Sequence, residues 1–143
     1  MEKHEQAAAL FLEGFRCSQA VFEVFAEESG IDPGIARKVS IGLAAGSGAK
    51  GECGAVSAAY LVNGLIHGFS HSGDPEKFKT VMMKNVQFLE KFRALHGNIN
   101  CHDLIGVDLF TEEGKKYFQE NAIKTKVCTK FVEDSVKILQ EIG

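Results

Sequence analysis

The chain has 143 residues and a mass of 15.6 kDa, enough for one domain with its own core. Hydrophobic residues make up 45%, charged residues 24%, and the formal net charge is −3, so no basic surface is offered to nucleic acid or an acidic membrane. No apolar run approaches the ~20 residues that span a bilayer, and "MEKHEQAAALFLEG" lacks the basic start of a secretory signal, so no membrane insertion and a cytoplasmic location with reduced cysteines are expected.

The pattern predicts helices almost throughout. The first covers about Lys3 to Glu13 and ends near Gly14. The second runs from Cys17 to about Ser29, with Gly30 as its stop and Ala20, Val21, Val24 and Phe25 as its apolar stripe. "IDPG" supplies Asp32 as N-cap and Pro33 at the first position of a third helix reaching about Ala44, although "VSIGLA" also reads as a short strand. A glycine-rich loop leads into a fourth helix, about Cys53 to His67. Asp74 and Pro75 open the fifth, whose Phe78, Val81, Met82, Phe88, Leu89, Phe92 and Leu95 keep helical spacing up to Gly97. A short turn or helix at Cys101 to Ile105, a helix from about Glu112 to Asn121, and a last one from about Val127 to Ile142 complete the chain. The expected fold is an all-α, single-domain bundle over residues 1–143, with about six to eight helices, some short.

Four cysteines stand out: Cys17, Cys53, Cys101 and Cys128. No CxxC pair is present, so zinc-finger and thioredoxin signatures are absent. Each is predicted to open a helix, where free N–H groups and the helix dipole stabilise a thiolate and lower its pKa. Four such places could present four thiolates. Each cysteine also falls on the apolar face of its helix, with Val21, Val56, Ile105 and Val132 among the neighbours three or four positions on. That fits convergence on one interior site, and it fits simple core packing equally well.

The blocks around the cysteines resemble a known family. They are "FRCSQAV" with Phe15, Cys17, Gln19, Ala20 and Val21; a glycine-rich approach to Cys53; "GNINCHDLIG" with Gly97, Cys101, Leu104 and Gly106; and Cys128 opening the final helix. In order, they resemble the redox-active proteins named for a Cys…Gly-Cys-Ala-x-x-Gly…Cys…Cys pattern, over about Phe15 to Leu139. The central motif, met as Cys-Gly-Ala-x-x-Gly, stands here as Cys53-Gly54-Ala55-Val56-Ser57-Ala58, with Ala58 in the place of a glycine. The resemblance implies a small helical protein with functionally paired or clustered cysteines. Two chemistries suit such a set: dithiol–disulfide cycling by Cys17, Cys53, Cys101 and Cys128, or ligation of an iron–sulfur cluster or zinc by the same four residues. A structural or interaction domain with inert buried cysteines is the third reading. Cys53 is the expected central participant, because its glycine surroundings let backbone amides approach it, and Lys50 is placed to stabilise its thiolate.

Other features carry less. "GSGAKG" spells G-x-G-x-x-G through Gly46, Gly48 and Gly51, but no preceding strand, βαβ pattern or downstream acid accompanies it. Lys50 is followed by Gly51, so it is not a Walker loop. His67 and His71 fall where a helix ends, and His102, though next to Cys101, would not face it on a helix. Met82 and Met83 read as core packing and interhelix contact, not a haem box. The redox partner is unspecified, and alanine- and glycine-rich helices permit a homo-oligomer.

Overall fold

The computed structural model describes residues 1–143 and holds eight α-helices: α1 (Lys3–Glu13), α2 (Cys17–Ala26), α3 (Pro33–Ser40), α4 (Gly54–His67), α5 (Pro75–His96), α6 (Cys101–Ile105), α7 (Glu112–Glu120) and α8 (Thr129–Ile142). The all-α expectation holds, and the strand alternative for "VSIGLA" does not. Local chemistry sets most boundaries. Asp32 and Asp74 accept hydrogen bonds from the Ile35 and Lys77 amides, each at 3.1 Å, just ahead of Pro33 and Pro75. Thr111 caps α7 through the Gly114 amide at 3.0 Å. Gly30, Gly97 and Gly106 end helical segments in the left-handed region, where a side chain would be strained.

Helix α2 is the axis of the molecule. Every residue from Ser18 to Ala26 is buried, and α1, α3, α4 and α8 pack around it. A helix enclosed on all sides must be apolar or have its polar groups satisfied. Glu23, buried in α2, meets Arg37 of α3 in a two-pronged pair at 2.9 Å on each prong. The Arg37 guanidinium also stacks over the Phe15 ring at 4.2 Å. Gln19 Oε1 accepts from the Arg16 amide, and its Nε2 donates to the Arg37 carbonyl. The core continues through Ala55, Ala58, Ala59 and Val62 of α4 and Val132, Val136 and Leu139 of α8. Ser135 donates to the Ala55 carbonyl at 2.8 Å, tying α8 to the first turn of α4.

The stripe predicted along α5 is only half used. Phe88 and Phe92 are fully buried, but Phe78, Met82 and Leu95 are exposed, and so is Met83, which was expected in the core. The reason is length. The helix has 22 residues, about 33 Å, whereas its partners α4 and α8 have 14 each. Its first turns, which carry Phe78, Met82 and Met83, overhang them, whereas from Lys84 and Asn85 onward it meets α8 and α4; the exposure of Leu95, at the other end, has no such explanation. Near its far end, His96 Nε2 pairs with Asp134 of α8 at 2.9 Å and packs its ring on Phe92 and Phe131.

Candidate functional site

The segment before α4 carries the most unusual backbone in the chain. Ala45, Gly46, Ser47 and Gly48 all take positive φ, at 53°, 71°, 59° and 72°. Glycine adopts this region freely, but each of Ala45 and Ser47 costs about 1–2 kcal/mol there. The left-handed run turns the chain back so that Gly46 O accepts from both Ala49 N and Gly51 N at 3.0 Å. The Gly46 and Gly51 backbones touch, which leaves no room for side chains between them. The G-x-G-x-x-G spelling therefore builds a closed turn, with two of its amides occupied by its own carbonyl.

Beyond that turn, Glu52 and Asn100 form an isolated antiparallel bridge. Cys53 N donates to Ile99 O at 2.7 Å, and Cys101 N donates to Gly51 O at 3.1 Å. Cys53 and Cys101 have the same parity along this bridge, so both side chains leave its same face. Burial, and after it the neighbouring Glu52 carboxylate, push the Tyr60 pKa up.

Cys17, at the first position of α2, receives what the bridge and the left-handed turn aim at it. Its thiol pKa is lowered from 9.0 to about 7, chiefly by a side-chain hydrogen bond with Cys53, against the opposing effect of burial. Backbone amides of Ala45, Ser18 and Gly54 add to the lowering. Cys53 moves the other way. Donating its proton to Cys17, being buried, and lying beside the Cys17 charge all raise it well above 9.0. Of the two sulfurs, Cys17 is therefore the more acidic and Cys53 the less. Cys101 is pushed up to about 11 and Cys128 to about 12, in both cases chiefly by burial.

These positions bear on three expectations. Only Cys17 collects enough donors to outweigh desolvation, so the four cysteines do not share a lowered pKa. One amide, that of Ala55, does reach Cys53, but three reach Cys17. And Cys128 does not open a helix. It closes a π-helical turn, Lys124–Cys128, that runs without a break into α8, so no helix N-terminus supports it. Lys50, expected beside Cys53, lines a small depression with Cys101 and His102, and no effect of it on Cys53 is resolved. His102 is exposed, as expected, with Asp103 at 3.8 Å.

All four cysteines line one cavity of about 70 Å³, walled mainly by Phe11, Phe15, Leu104, Ile105, Leu109, Phe118 and Phe131. Cys53 is the most buried; Cys17, Cys101 and Cys128 are each partly accessible. The π turn places both Lys124 and Cys128 on the cavity wall, with Lys124 Nζ 5.1 Å from the Phe11 ring centre. Lining a common cavity is not the same as converging on a point. As the side chains stand, no group of three or more His, Cys, Asp or Glu is placed to hold a metal ion.

Gly54 explains the glycine that follows the central cysteine. A β-carbon there would lie 2.5 Å from Cys17 Sγ, 3.1 Å from Leu43 O and 3.2 Å from Ala44 Cα. Only glycine lets the sulfur of α2 rest against the start of α4. The chain matches, over residues 15–142, the family model described as "Putative redox-active protein (C_GCAxxG_C_C)". The chain belongs to that family. No curated protein and no solved structure matches it. Within the family pattern, Ala58 replaces a glycine and is fully buried, so its methyl group is absorbed by the α4 packing. Arg16, Lys124, Phe11 and Phe118 also line the site and went unnoticed in the sequence. Arg16 immediately precedes a cysteine and Lys124 lies one turn before another, which was the available signal. No helix is long and apolar enough to cross a membrane.

Proposed function

We propose that the protein carries out dithiol–disulfide exchange, with Cys17 as attacking thiolate and Cys53 as resolving thiol. The observation behind this reading is an asymmetric pair at the start of α4: Cys17 Sγ rests against Gly54, next to Cys53, and the pKa of the partly exposed Cys17 is lowered to about 7 while that of buried Cys53 is raised. A thiol with a pKa near ambient pH is the best placed to attack a disulfide.

The steps balance as follows. The Cys17 thiolate attacks one sulfur of a substrate disulfide, RSSR. The S–S bond breaks, one RS⁻ leaves, and a mixed disulfide forms on Cys17. Cys17 then no longer carries the charge that kept the proton on Cys53, so Cys53 becomes more acidic at the moment it is needed. It loses its proton to solvent and attacks Cys17 Sγ, expelling the second RS⁻. Two protein thiols have been oxidised to a Cys17–Cys53 disulfide, and RSSR has been reduced to two thiols. Cys101 and Cys128 stay protonated at neutral pH and face the same cavity, where they can accept the disulfide by a further exchange.

The test combines alkylation kinetics and peptide mapping. Reduced protein should show one fast thiol, at Cys17, whose rate titrates near pH 7. Mild oxidation should remove two thiols reversibly and yield a Cys17–Cys53 peptide. Cys53→Ser should accumulate the mixed disulfide on Cys17. Iron and zinc should be well below one per chain in protein purified without oxygen. Four thiols inert in the native state would refute the proposal, and stoichiometric metal with all four cysteines shielded would replace it with a ligand set.

A further inference from the structure

The cysteine cavity has room for about two water molecules, far less than any disulfide substrate. A substrate must therefore rest outside and offer its sulfurs to Cys17. The cavity opens into a wider surface cleft, and the two share Arg16 and Lys124. Lys115 of α7 also lines the cleft. None of these three bases is in an ion pair, and no carboxylate lines the cleft, although the chain as a whole is acidic, with net charge −3. Between the bases the walls are mostly apolar, with Gln119 and Thr125 as the polar exceptions, and Ile41 and Phe110 stand 51% and 61% exposed. Unpaired cations around exposed apolar surface form a receptor for an amphipathic anion.

We infer that the cleft selects small disulfides that carry carboxylates on an apolar or aromatic body. This rests on the dithiol reading. The bases hold the carboxylates at the rim, Ile41 and Phe110 cover the body, and the disulfide is left above Cys17. Arg16, adjacent to Cys17, faces the negative charge that builds on the departing sulfur. No atoms or electrons are added to the exchange already described: the substrate disulfide is the oxidant, and the electron pair leaves on its thiolate.

The experiment uses the full, reduced chain and two aromatic disulfides, dithiobis(nitrobenzoate), which carries carboxylates, and uncharged dithiodipyridine. Rates are measured by stopped flow for the natural sequence, Arg16→Gln, Lys115→Glu and the double variant. Both positions are exposed, and circular dichroism verifies the fold. Lys124 is left intact because it also lowers the Cys128 pKa. The expected result is a fall in the anionic-to-neutral rate ratio of about tenfold or more in the double variant, with added salt lowering the same ratio in the natural protein. A ratio unmoved by both the substitutions and salt overturns the inference while leaving the dithiol reading standing. If neither disulfide oxidises the natural protein, the dithiol reading fails and the inference falls with it.

Discussion

Replacing Gly54 by alanine places a methyl group 2.5 Å from Cys17 Sγ. A comfortable contact is about 3.5–4.0 Å, so roughly 1 Å must be found. The methyl cannot recoil, because Leu43 O and Ala44 Cα stand 3.1 and 3.2 Å away on backbone. The sulfur is what moves, and it leaves the reach of the Gly54 amide and the Cys53 thiol. Its pKa then climbs from about 7 toward 9.0. A full return would be worth ~2.7 kcal/mol and would cut the thiolate fraction at neutral pH from about a half to about a hundredth. A more basic thiolate is intrinsically more nucleophilic, by about six- to tenfold over this range. The net loss in alkylation rate at pH 7 is therefore about five- to tenfold, with an overpacking cost of about 1–3 kcal/mol in stability. The assay is the iodoacetamide rate against pH, with urea unfolding in parallel. Gly64→Ala is the control, because nothing lies within 4 Å of a β-carbon there; it should leave the rate profile alone and stabilise α4 by up to ~1 kcal/mol. A Gly54→Ala protein that still titrates near 7 with unchanged stability would refute the packing argument.

Three other outcomes are expected. Ser47→Gly should relieve the left-handed strain at φ 59° and raise unfolding free energy by up to about 1 kcal/mol in urea, since the ~1–2 kcal/mol of strain is partly offset by added unfolded-state freedom; a destabilised variant would mean the serine hydroxyl has an unseen role. Stability should rise with pH between about 7 and 9, because folded Cys17 has already lost a proton that the unfolded chain keeps, and fall above 9 as Cys53, Cys101 and Cys128, raised in the folded state, resist losing theirs; Cys17→Ser should remove the rising limb in a series of urea titrations. Arg37→Ala leaves the buried Glu23 carboxylate without its two-pronged partner and should lower the melting temperature at neutral pH, whereas Lys38→Ala, on the same helix and in no ion pair, should leave it nearly unchanged.

Much of the helical layout was legible because its signals are local. A cap contacts an amide three residues away, and a stop needs only a glycine able to take positive φ. Hence the bounds of α1 and the starts of α3 and α5 agree with expectation to the residue. The overhang of α5 was not legible: an apolar stripe states which face prefers burial, not how long the neighbouring helices are. The same limit applies at Cys128. Its apolar neighbours Phe131 and Val132 were read correctly as core, but the π turn that carries the cysteine into α8 looks in sequence like a helix start.

The four cysteines, their apolar company and the glycine after Cys53 were determined by the sequence alone, and so was membership of a redox-active family, since matching a pattern needs only residues in order. Which cysteine has its pKa lowered was decided by the tertiary structure. Ala45, Gly54 and Cys53 lie 28 or more positions beyond Cys17 in the chain, and they act on its sulfur only once the left-handed turn, the isolated bridge and the α2–α4 contact have brought them together. A pKa is set by donors within a few ångströms, and sequence distance does not report those.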